Sequence, residues 1–331
     1  MDPRQVVVFD TKRPDLKIER QVFEALDLPV EVEMSPHRTE AGVIEAAMGA
    51  HGIMVDAGTP VTERVLDALD ALEIVARVGI GVDNIAIDAA REQGIAVTNV
   101  PDYSVDEVST HALGLLLTLA REIQTYSADT EAGNWDWKRG VPLFRLQERT
   151  LGVIAFGRIG RRIARKAAPL FETVVAYDPY LDDDVFERYD VERVGFEELL
   201  GRADAISLHT PLTEETESML DSAAFGTMAE RDTDAGTILI NTSRGGVIDE
   251  GALLKALESG TVRAAGLDVL AEEPPTDRGL LDRDDVIITP HIGWYSEESR
   301  DEVRRRSAEE IGRVFQGVPP ENDVTSEAEW L

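Results

Sequence analysis

Apolar, β-branched runs alternate with amphipathic segments along the whole chain, and this alternation constrains the fold more than any other feature. Strands and helices that alternate in this way form parallel sheets covered by helices. Four runs with the strand pattern lie in the first hundred residues and six lie between 150 and 290. They span 6–10, 52–58, 72–79, 95–100, 150–157, 173–178, 204–210, 237–243, 264–270 and 285–290. We predict an α/β protein with two doubly wound parallel sheets.

Three segments between and after these runs predict helices. Residues 61–72 follow Thr59 and Pro60, which are typical helix-start residues. Residues 105–127 carry apolar side chains on nearly every face, so we expect this helix to be buried against more than one layer. Ser296 predicts the cap of a terminal helix that ends at Gly317.

The terminal helix contains a run of three arginines, Arg304 to Arg306. Two acids, Glu309 and Glu310, stand four residues after the second and third arginine. Residues with this spacing are neighbours on a helix surface and can form ion pairs. We therefore predict a solvated, self-paired helix face and not an anion site.

The composition excludes several classes of protein. A chain of 331 residues, 43% of them hydrophobic, is long enough for two domains with proper cores. The absence of cysteine excludes disulfides, thiolate catalysis and Cys-ligated zinc, and we predict no metal site. The first ten residues, MDPRQVVVFD, lack the pattern of a targeting leader, and no run of about 18 apolar residues follows. We expect a soluble, cytoplasmic protein.

The formal net charge of −31 is extreme and is spread along the chain. Such a surface repels nucleic acid and anionic lipid headgroups, so we expect neither as a partner. Only five of the 33 cationic residues are lysine. We interpret the charge as an adaptation to a salt-rich cytoplasm, in which short screening lengths reduce self-repulsion. An ordinary acidic surface is the alternative.

The segment LGVIAFGRIGRRIARKAA at 151–168 predicts a strand, a glycine turn and a helix in direct succession. In such a turn the first backbone N–H groups of the helix face a phosphate. Gly157 permits close approach of the phosphate, and Gly160 permits the helix to pack on the strand. Ala155 stands where the G-x-G-x-x-G pattern has its first glycine, so the motif alone is also compatible with a plain turn.

The next predicted strand ends in Asp178, 18 residues after Gly160. A carboxylate at this point can accept hydrogen bonds from the hydroxyls of an adenosine ribose and repels a 2′-phosphate. The following residues, PYLDDD, contain no cation that would offset that repulsion. The pattern favours NAD over NADP, although Asp178 could also be a simple turn former.

The last strand-like run leads into the sequence ITPHIGW at 288–294. Proline cannot donate a hydrogen bond to a sheet, so the strand should stop at Thr289. His291 is then presented on the loop that follows the strand. Loops at strand ends of α/β proteins are where reactive groups are found.

Taken together, these motifs resemble the D-isomer-specific 2-hydroxyacid dehydrogenase family. The glycine turn with Asp178 is followed by SLHTPLTEET (207–216), INTSRGGVIDE (240–250), AAGLDVLAEEPP (264–275) and ITPHIGW (288–294), in the order and spacing of that family. RVGIGVDNI at 77–85 is a further match. Within the family, the chain looks most similar to the branch of the C-terminal binding proteins and glycerate-type dehydrogenases.

The resemblance implies a discontinuous domain arrangement. Residues 101–290 would form a Rossmann cofactor domain. Residues 1–100 and 291–331 would form a flavodoxin-like substrate domain. The family is usually dimeric, so the resemblance also implies a homodimer.

The resemblance implies three catalytic residues. His291 would be the general acid that protonates the substrate carbonyl oxygen, and the base in the reverse direction. Glu273 would bind the other ring nitrogen and stabilise the imidazolium form. Arg244 would bind the substrate carboxylate and polarise the carbonyl group.

The resemblance also implies contacts with NAD and substrate. Arg158 and Ile159 would lie at the pyrophosphate, Asp178 at the ribose and Asp268 at the nicotinamide carboxamide. The other cofactor contacts would come from Gly157, Gly160, Thr210, Thr242, Ser243, Gly293 and Trp294. Backbone at Val78, Gly79 and Ile80 would hold the substrate carboxylate.

The remaining histidines, His37, His51, His111 and His209, show no pattern that suggests a partner. We interpret His209 as structural, since it lies at a strand end. Arg244 and Glu273 could each be an ordinary charged residue of an acidic protein if considered alone.

The function implied is reduction of a small 2-oxo acid, such as glyoxylate, hydroxypyruvate or pyruvate, to the D-2-hydroxy acid with NADH. We expect no regulatory domain and no basic phosphate pocket, and therefore no phosphorylated substrate. An alternative is an NAD(H)-sensing transcriptional co-regulator with little turnover. Formate dehydrogenases of the family carry glutamine where Glu273 stands. An S-adenosylmethionine methyltransferase would not need the RGG and Pro-His motifs.

Overall fold

The computed structural model describes residues 3–9, 15–140, 142–231 and 235–325. Its strands are β1 (Arg4–Phe9), β2 (Val30–Ser35), β3 (Gly52–Val55), β4 (Ile74–Arg77), β5 (Ala96–Thr98), β6 (Thr150–Ile154), β7 (Thr173–Tyr177), β8 (Glu192–Arg193), β9 (Ala205–Leu208), β10 (Thr237–Asn241), β11 (Val262–Leu267) and β12 (Val286–Ile288). Its α-helices are α1 (Lys17–Ala25), α2 (Glu40–Ala47), α3 (Glu63–Asp67), α4 (Ile87–Gln93), α5 (Val105–Ala120), α6 (Ile123–Glu131), α7 (Arg158–Ala167), α8 (Asp183–Glu187), α9 (Phe196–Arg202), α10 (Ser222–Ala229), α11 (Glu250–Ser259) and α12 (Glu297–Phe315). Three short 3-10 turns lie at Leu146–Glu148, Ala168–Leu170 and Gly245–Val247.

The chain divides into two compact units. The first unit combines residues 1–103 with 296–331, and the second is Ser104–Tyr295. Each unit has its own sheet, in which every strand pairing is parallel. The predicted fold class, two parallel-sheet α/β domains, is confirmed.

The sheet of the first unit has the order β2-β1-β3-β4-β5. This is the 2-1-3-4-5 order of flavodoxin-like folds. Strands β3 and β4 are buried along their whole length, as expected for central parallel strands covered on both faces. One of those covers includes α12, whose Ile311 and Phe315 pack with Val6 and Val8 of β1.

The sheet of the second unit has the order β12-β11-β10-β9-β6-β7-β8. Counted from β6, the first six strands have the 3-2-1-4-5-6 order of dinucleotide-binding folds, and β12 adds a seventh. The order reverses between β6 and β9, which lie side by side. Ligands of such sheets bind at the carboxyl ends of the strands at this reversal.

Helix α5 packs against α7 on one side and against β10 and β11 on the other. Its buried residues include Leu115, Leu116 and Leu119. The prediction of a helix buried against more than one layer is therefore confirmed for Val105–Ala120. The predicted helix does not continue to residue 127, because Glu122 adopts a left-handed backbone conformation with φ of 51° and separates α5 from α6.

The other differences from the predicted elements have local causes. Strands β2 and β8 were not predicted; β2 alternates apolar and charged residues at the sheet edge, and β8 is two residues long. The helix predicted at 61–72 is only α3, capped by Thr62, whose hydroxyl accepts from the N–H of Val65. Thr59 is buried and instead donates to Asp56.

The arginine run on α12 is only partly solvated. Arg305 forms the predicted surface pair with Glu309 at 2.6 Å. Arg304, however, is 3% exposed and pairs with the fully buried Glu19 through Nε–Oε1 and Nη2–Oε2 contacts of 2.9 and 2.8 Å. The prediction of a solvated face was wrong for Arg304, because α1 covers this side of α12.

The predicted contact between Arg306 and Glu310 is also absent. Arg306 pairs with Asp102 and Glu302, at 2.6 and 3.2 Å. Glu310 is buried and accepts a hydrogen bond from the side-chain amide of Asn322. Both residues therefore make contacts inside the first unit.

Within the described residues, no helix is both long enough and apolar enough to cross a membrane.

We predict that Arg304→Leu lowers the free energy of unfolding by about 3–5 kcal/mol, because the carboxylate of Glu19 would stay buried and lose both of its contacts with the Arg304 guanidinium. Arg305→Leu is the matched control, because its partner Glu309 is 43% exposed and a surface pair contributes at most about 1 kcal/mol. Urea denaturation of both variants measures the difference. Equal losses of unfolding free energy in the two variants would contradict the assignment of a buried ion pair to Arg304 and of a surface pair to Arg305.

Candidate active site

The glycine turn lies between β6 and α7 at the carboxyl edge of the second sheet. Gly157 is the N-cap of α7, and no side chain caps the first N–H groups of the helix. A Cβ built on Gly157 would meet nothing within 4 Å. A Cβ on Gly160 would lie 2.1 Å from the carbonyl oxygen of Ala155. Gly157 thus leaves open space above the helix start, and Gly160 permits the turn to close.

Ala155, the departure from the glycine pattern, has a φ of 66°. This left-handed conformation costs a residue with a Cβ about 1–2 kcal/mol. The N–H of Ala155 donates to the carbonyl of Tyr177 at 2.8 Å, which anchors the turn to β7. The alanine therefore adopts a left-handed conformation that glycine adopts at little cost.

Asp178 follows β7 and is 8% exposed. Its Oδ2 accepts from the N–H of Phe156 in the glycine turn at 2.9 Å, and its Oδ1 accepts from the N–H of Tyr180 at 3.0 Å. Each carboxylate oxygen can accept a second hydrogen bond. The carboxylate is thus fixed by the backbone beside the turn and keeps the capacity to accept from a ribose hydroxyl.

Two loops on the other side of β6 carry further predicted cofactor residues. Thr210 follows β9 and its hydroxyl donates to the carbonyl of Pro211 at 3.3 Å. Ser243 follows β10 and its hydroxyl donates to Asn241 at 2.8 Å. The Oγ1 atom of Thr242 is buried and has no hydrogen-bond partner among the described residues. A buried hydroxyl without a partner is costly, so Thr242 has unused capacity for a ligand.

The ends of β10, β11 and β12 are joined by backbone hydrogen bonds that continue beyond the strands. The N–H of Asp268 donates to the carbonyl of Asn241, and the N–H of His291 donates to the carbonyl of Asp268, both at 2.9 Å. The N–H of Thr289 donates in the same way to the carbonyl of Leu267 at 3.0 Å. These bonds fix the relative positions of the three loops that carry Ser243, Asp268 and His291.

The carboxylate of Asp268 is surrounded by donors although the residue is only 2% exposed. Its Oδ1 accepts from the Thr289 hydroxyl and the Ile292 N–H, and its Oδ2 accepts from the Gly293 N–H. Burial alone would raise the pKa of Asp268. The hydrogen bonds with His111, Thr289, Ile292 and Gly293 outweigh burial and hold that pKa below its ordinary value.

His291 and Glu273 are brought into direct contact, with Nδ1 and Oε2 2.8 Å apart. Burial raises the pKa of Glu273, but the hydrogen bond with His291, with smaller contributions from its charge and from the N–H of Leu270, leaves the pKa below its ordinary value. Glu273 is therefore an ionised partner for the imidazole at neutral pH.

The backbone of His291 is held in an unusual conformation, with a φ of 55°. The indole Nε1 of Trp294 donates to the carbonyl of His291 at 3.0 Å. Non-glycine residues in this region cost of order 1–3 kcal/mol and persist only where the surroundings hold them. The loop thus fixes the direction of the imidazole.

Arg244 lies on the loop after β10, and its Nη1 donates to the carbonyl of Ser243 at 2.7 Å. The neighbouring Gly245 packs so tightly on Leu270 and Ala271 that a Cβ would lie 1.9 Å from the carbonyl carbon of Leu270. Since the same Leu270 donates its N–H to Glu273, the loops of Arg244 and Glu273 touch.

The predicted substrate residues Val78, Gly79 and Ile80 lie in the first unit, after β4. Gly79 has a φ of 147°, which favours glycine, and a Cβ there would lie 2.4 Å from the Arg77 guanidinium. The carbonyl of Ile80 accepts from the side chain of Asn99 at 2.7 Å, and the carbonyl of Gly79 accepts from the N–H of Val100. The backbone of this turn is therefore firmly placed.

His111, for which the sequence suggests no partner, contacts the residues that follow β11 and β12 in the second unit. His111 on α5 has its Nε2 2.9 Å from the hydroxyl of Thr289 and 3.5 Å from Oδ1 of Asp268. His209, by contrast, contacts Ser207 at 2.9 Å, and burial lowers its pKa to about 3. Sequence spacing could not reveal the contact of His111, because its partner is 178 positions away.

The residues of the second unit fit NAD. The uncapped start of α7, the open space at Gly157, the fixed carboxylate of Asp178 and the unpartnered hydroxyl of Thr242 offer donors and acceptors for a pyrophosphate and its riboses. The described residues contain no group of three or more His, Asp or Glu side chains that could hold a metal ion.

We predict opposite outcomes for two substitutions in the glycine turn. Gly160→Ala should lower the free energy of unfolding by about 1–3 kcal/mol, because its Cβ overlaps the Ala155 carbonyl. Gly157→Ala should leave that free energy unchanged and weaken NADH binding about tenfold, because the methyl group fills the space in front of the helix start. Urea denaturation and NADH fluorescence titration test the pair. Unchanged NADH affinity of Gly157→Ala would refute this location of the phosphates.

Comparison with known proteins identifies the family. A family model, D-isomer specific 2-hydroxyacid dehydrogenase, NAD binding domain, matches residues 113–293. The D-3-phosphoglycerate dehydrogenase of Methanocaldococcus jannaschii is 40% identical over 297 residues, which cover 89% of this chain and 55% of that protein. This chain thus spans about half the length of the curated relatives it matches.

Solved structures are similar over almost the whole chain. The TT0316 protein from Thermus thermophilus is 32% identical with a TM-score of 0.85, over 97% of this chain and 99% of that one. A D-lactate dehydrogenase from Aquifex aeolicus, complexed with NAD and lactic acid, is 26% identical with a TM-score of 0.85, over 98% and 100%. The family prediction is confirmed: the chain belongs to the D-isomer-specific 2-hydroxyacid dehydrogenase family and contains its NAD-binding domain.

Proposed function

We propose that the protein is an NAD-dependent D-2-hydroxyacid dehydrogenase that interconverts a 2-oxo acid and the D-2-hydroxy acid. The observation that carries this proposal is the contact of His291 with Glu273 at 2.8 Å, in the same unit as a glycine turn that fits NAD. An imidazole paired with a carboxylate is suited to move a proton near neutral pH.

His291 would hold the transferred proton at Nε2, because its Nδ1 faces Glu273. Glu273 would stabilise the imidazolium before the proton leaves and orient the ring through its contact with Nδ1. Bound NADH supplies the hydride that reduces the carbonyl carbon. In the reverse direction the same Nε2 would accept the hydroxyl proton.

Arg244 would bind the carboxylate of the substrate through its guanidinium and polarise the neighbouring carbonyl oxygen. The backbone at Val78, Gly79 and Ile80 would hold the substrate from the first unit. We therefore assign the substrate role to that unit and the cofactor role to the unit Ser104–Tyr295.

The proposed cofactor contacts begin at the start of α7. Arg158 and Ile159 would bind the pyrophosphate through their backbone, between Gly157 and Gly160. Asp178 would accept from the adenosine ribose and so favour NAD over NADP. Thr210, after β9, would make a further contact. The contacts nearer the nicotinamide would come from Thr242, Ser243, Asp268, Gly293 and Trp294.

The substrate is proposed as a class. Glyoxylate, hydroxypyruvate and pyruvate each carry the carboxylate and the adjacent carbonyl that Arg244 and His291 would recognise. The similarity to D-3-phosphoglycerate dehydrogenases supports adding the 2-oxo acid made by oxidising 3-phosphoglycerate, against our expectation of a non-phosphorylated substrate. The assignment to the branch of the C-terminal binding proteins stays a prediction.

We predict that NADH is oxidised with at least one of these 2-oxo acids and that NADPH is a poorer cofactor. His291→Gln should lower kcat on the best substrate by about 100- to 10,000-fold, the usual contribution of a general acid. Arg244→Lys should mainly raise KM, because it keeps the charge and loses the planar fork. The exposed His37 provides the control, His37→Gln, which should keep wild-type rates.

The outcomes separate the rival functions. Wild-type turnover in His291→Gln would refute the mechanism. Binding of NADH without turnover of any 2-oxo acid would favour the co-regulator alternative.

We further propose that the enzyme is a homodimer of a salt-rich cytoplasm. The formal charge of −31 supports the salt-rich cytoplasm, because repulsion between the acidic side chains grows as salt screening weakens. Lowering KCl from about 1 M to about 0.01 M lengthens the screening distance from about 3 to about 30 Å. We predict unfolding and loss of activity on this change, measured by circular dichroism and NADH oxidation.

Two measurements test the two parts of that proposal separately: the salt series tests the salt requirement, and a molecular mass tests the dimer. Size-exclusion chromatography with light scattering at high salt should give twice the mass of one chain. Full stability in dilute buffer would contradict the salt requirement, and a single-chain mass at all protein concentrations would contradict the dimer.

A further inference from the structure

A chain of polar contacts connects helix α5 to the predicted nicotinamide end of the cofactor site. It starts at Nε2 of His111, continues 2.9 Å to the hydroxyl of Thr289, and ends 2.6 Å further on at Oδ1 of Asp268. The three residues come from three different elements: α5, the end of β12 and the end of β11. All of them belong to the unit Ser104–Tyr295.

The chemistry of the three groups fixes the direction of the hydrogen bonds. Asp268 has a lowered pKa and is ionised at neutral pH, so it can only accept. Thr289 must then donate its single hydroxyl proton to Asp268. Its oxygen can therefore only accept from His111, so Nε2 of His111 must carry a proton. The hydrogen bonds therefore all run in one direction: the imidazole donates to the hydroxyl, and the hydroxyl donates to the carboxylate.

The two oxygens of Asp268 are used unequally. Oδ1 accepts from the Thr289 hydroxyl and the Ile292 N–H, and Nε2 of His111 lies 3.5 Å away. Oδ2 accepts from the N–H of Gly293 at 2.7 Å and has no other donor within the described parts of the chain. A carboxylate oxygen can accept two hydrogen bonds, so Oδ2 has room for one more N–H donor.

Gly293 shows how tightly this arrangement is packed. A Cβ at this position would lie 2.8 Å from Oδ2 of Asp268 and 3.3 Å from Cδ2 of His111. The imidazole therefore packs directly against the turn that supplies a donor to Asp268. Loss of the imidazole would remove its packing on this turn and its hydrogen bond to the hydroxyl of Thr289.

We propose that His111 is a positioning residue for the nicotinamide half of the cofactor. It acts through Thr289, which it orients so that Oδ1 of Asp268 is saturated and Oδ2 is directed to the carboxamide N–H. This inference rests on the proposed function, since it assigns the carboxamide to Asp268. His111 itself need not touch the cofactor or the substrate.

The test compares two ligands that differ only at the nicotinamide end. NADH contains the carboxamide, whereas ADP-ribose contains the adenosine, pyrophosphate and riboses without the nicotinamide. His111→Leu should raise the Kd of NADH about tenfold, the effect of losing about one hydrogen bond to a charged group. The Kd of ADP-ribose should change less than twofold. Isothermal titration without substrate measures both.

Two further variants separate positioning from general stability. His111→Gln keeps an N–H donor near the position of Nε2 and should restore most of the NADH affinity. Thr118→Val removes a hydroxyl two turns further along α5 and should leave both affinities unchanged. A Tm for each variant shows whether the fold is intact under the titration conditions.

The outcomes distinguish this inference from the proposed function. An unchanged Kd of NADH in His111→Leu, or an equal loss for ADP-ribose, would overturn the positioning role. Failure of His111→Gln to recover NADH affinity would also overturn it. If the wild type bound no NADH, both the proposed function and this inference would fail; if it bound NADH without turning over any 2-oxo acid, only the former would.

Discussion

The ends of strands β10, β11 and β12 are tied together at the buried carboxylate and backbone of Asp268, and the geometry of the site depends on this point. Its N–H binds the end of β10 and its carbonyl binds the N–H of His291. Its side chain accepts from Thr289, Ile292 and Gly293. A carboxylate buried to this degree is tolerated only because both of its oxygens accept hydrogen bonds. Removing it would release the loop that directs His291 at Glu273.

Much of this arrangement could be predicted, because it depends on patterns between residues that are close together in the sequence. The βα alternation predicts two parallel sheets, and the Pro-His sequence predicts that a strand stops just before His291. The resemblance to the family implies that Glu273 binds His291, and the structure brings the two side chains into contact. These predictions succeed because strands of a parallel sheet all end at the same edge.

The contacts that could not be predicted are those between distant parts of the chain. Arg304 meets Glu19 across 285 positions, and a run of three arginines on a polar helix gives no sign that one of them is buried. His111 meets Thr289 across 178 positions. In both cases a charged or polar side chain is satisfied by a partner that only the fold brings near. Glu122, at which the long predicted helix breaks, likewise contacts the distant Arg263 at 3.4 Å.

The proposed chemistry requires that His291, paired with Glu273, and Arg244 meet at the reacting carbon of a 2-oxo acid above NADH. A crystal structure with NADH and oxamate, a mimic of a 2-oxo acid that cannot be reduced, tests this most directly. We expect Nε2 of His291 within hydrogen-bond distance of the oxamate carbonyl oxygen and the Arg244 guanidinium on its carboxylate. Oxamate bound away from both side chains, with NADH in place, would contradict this mechanism.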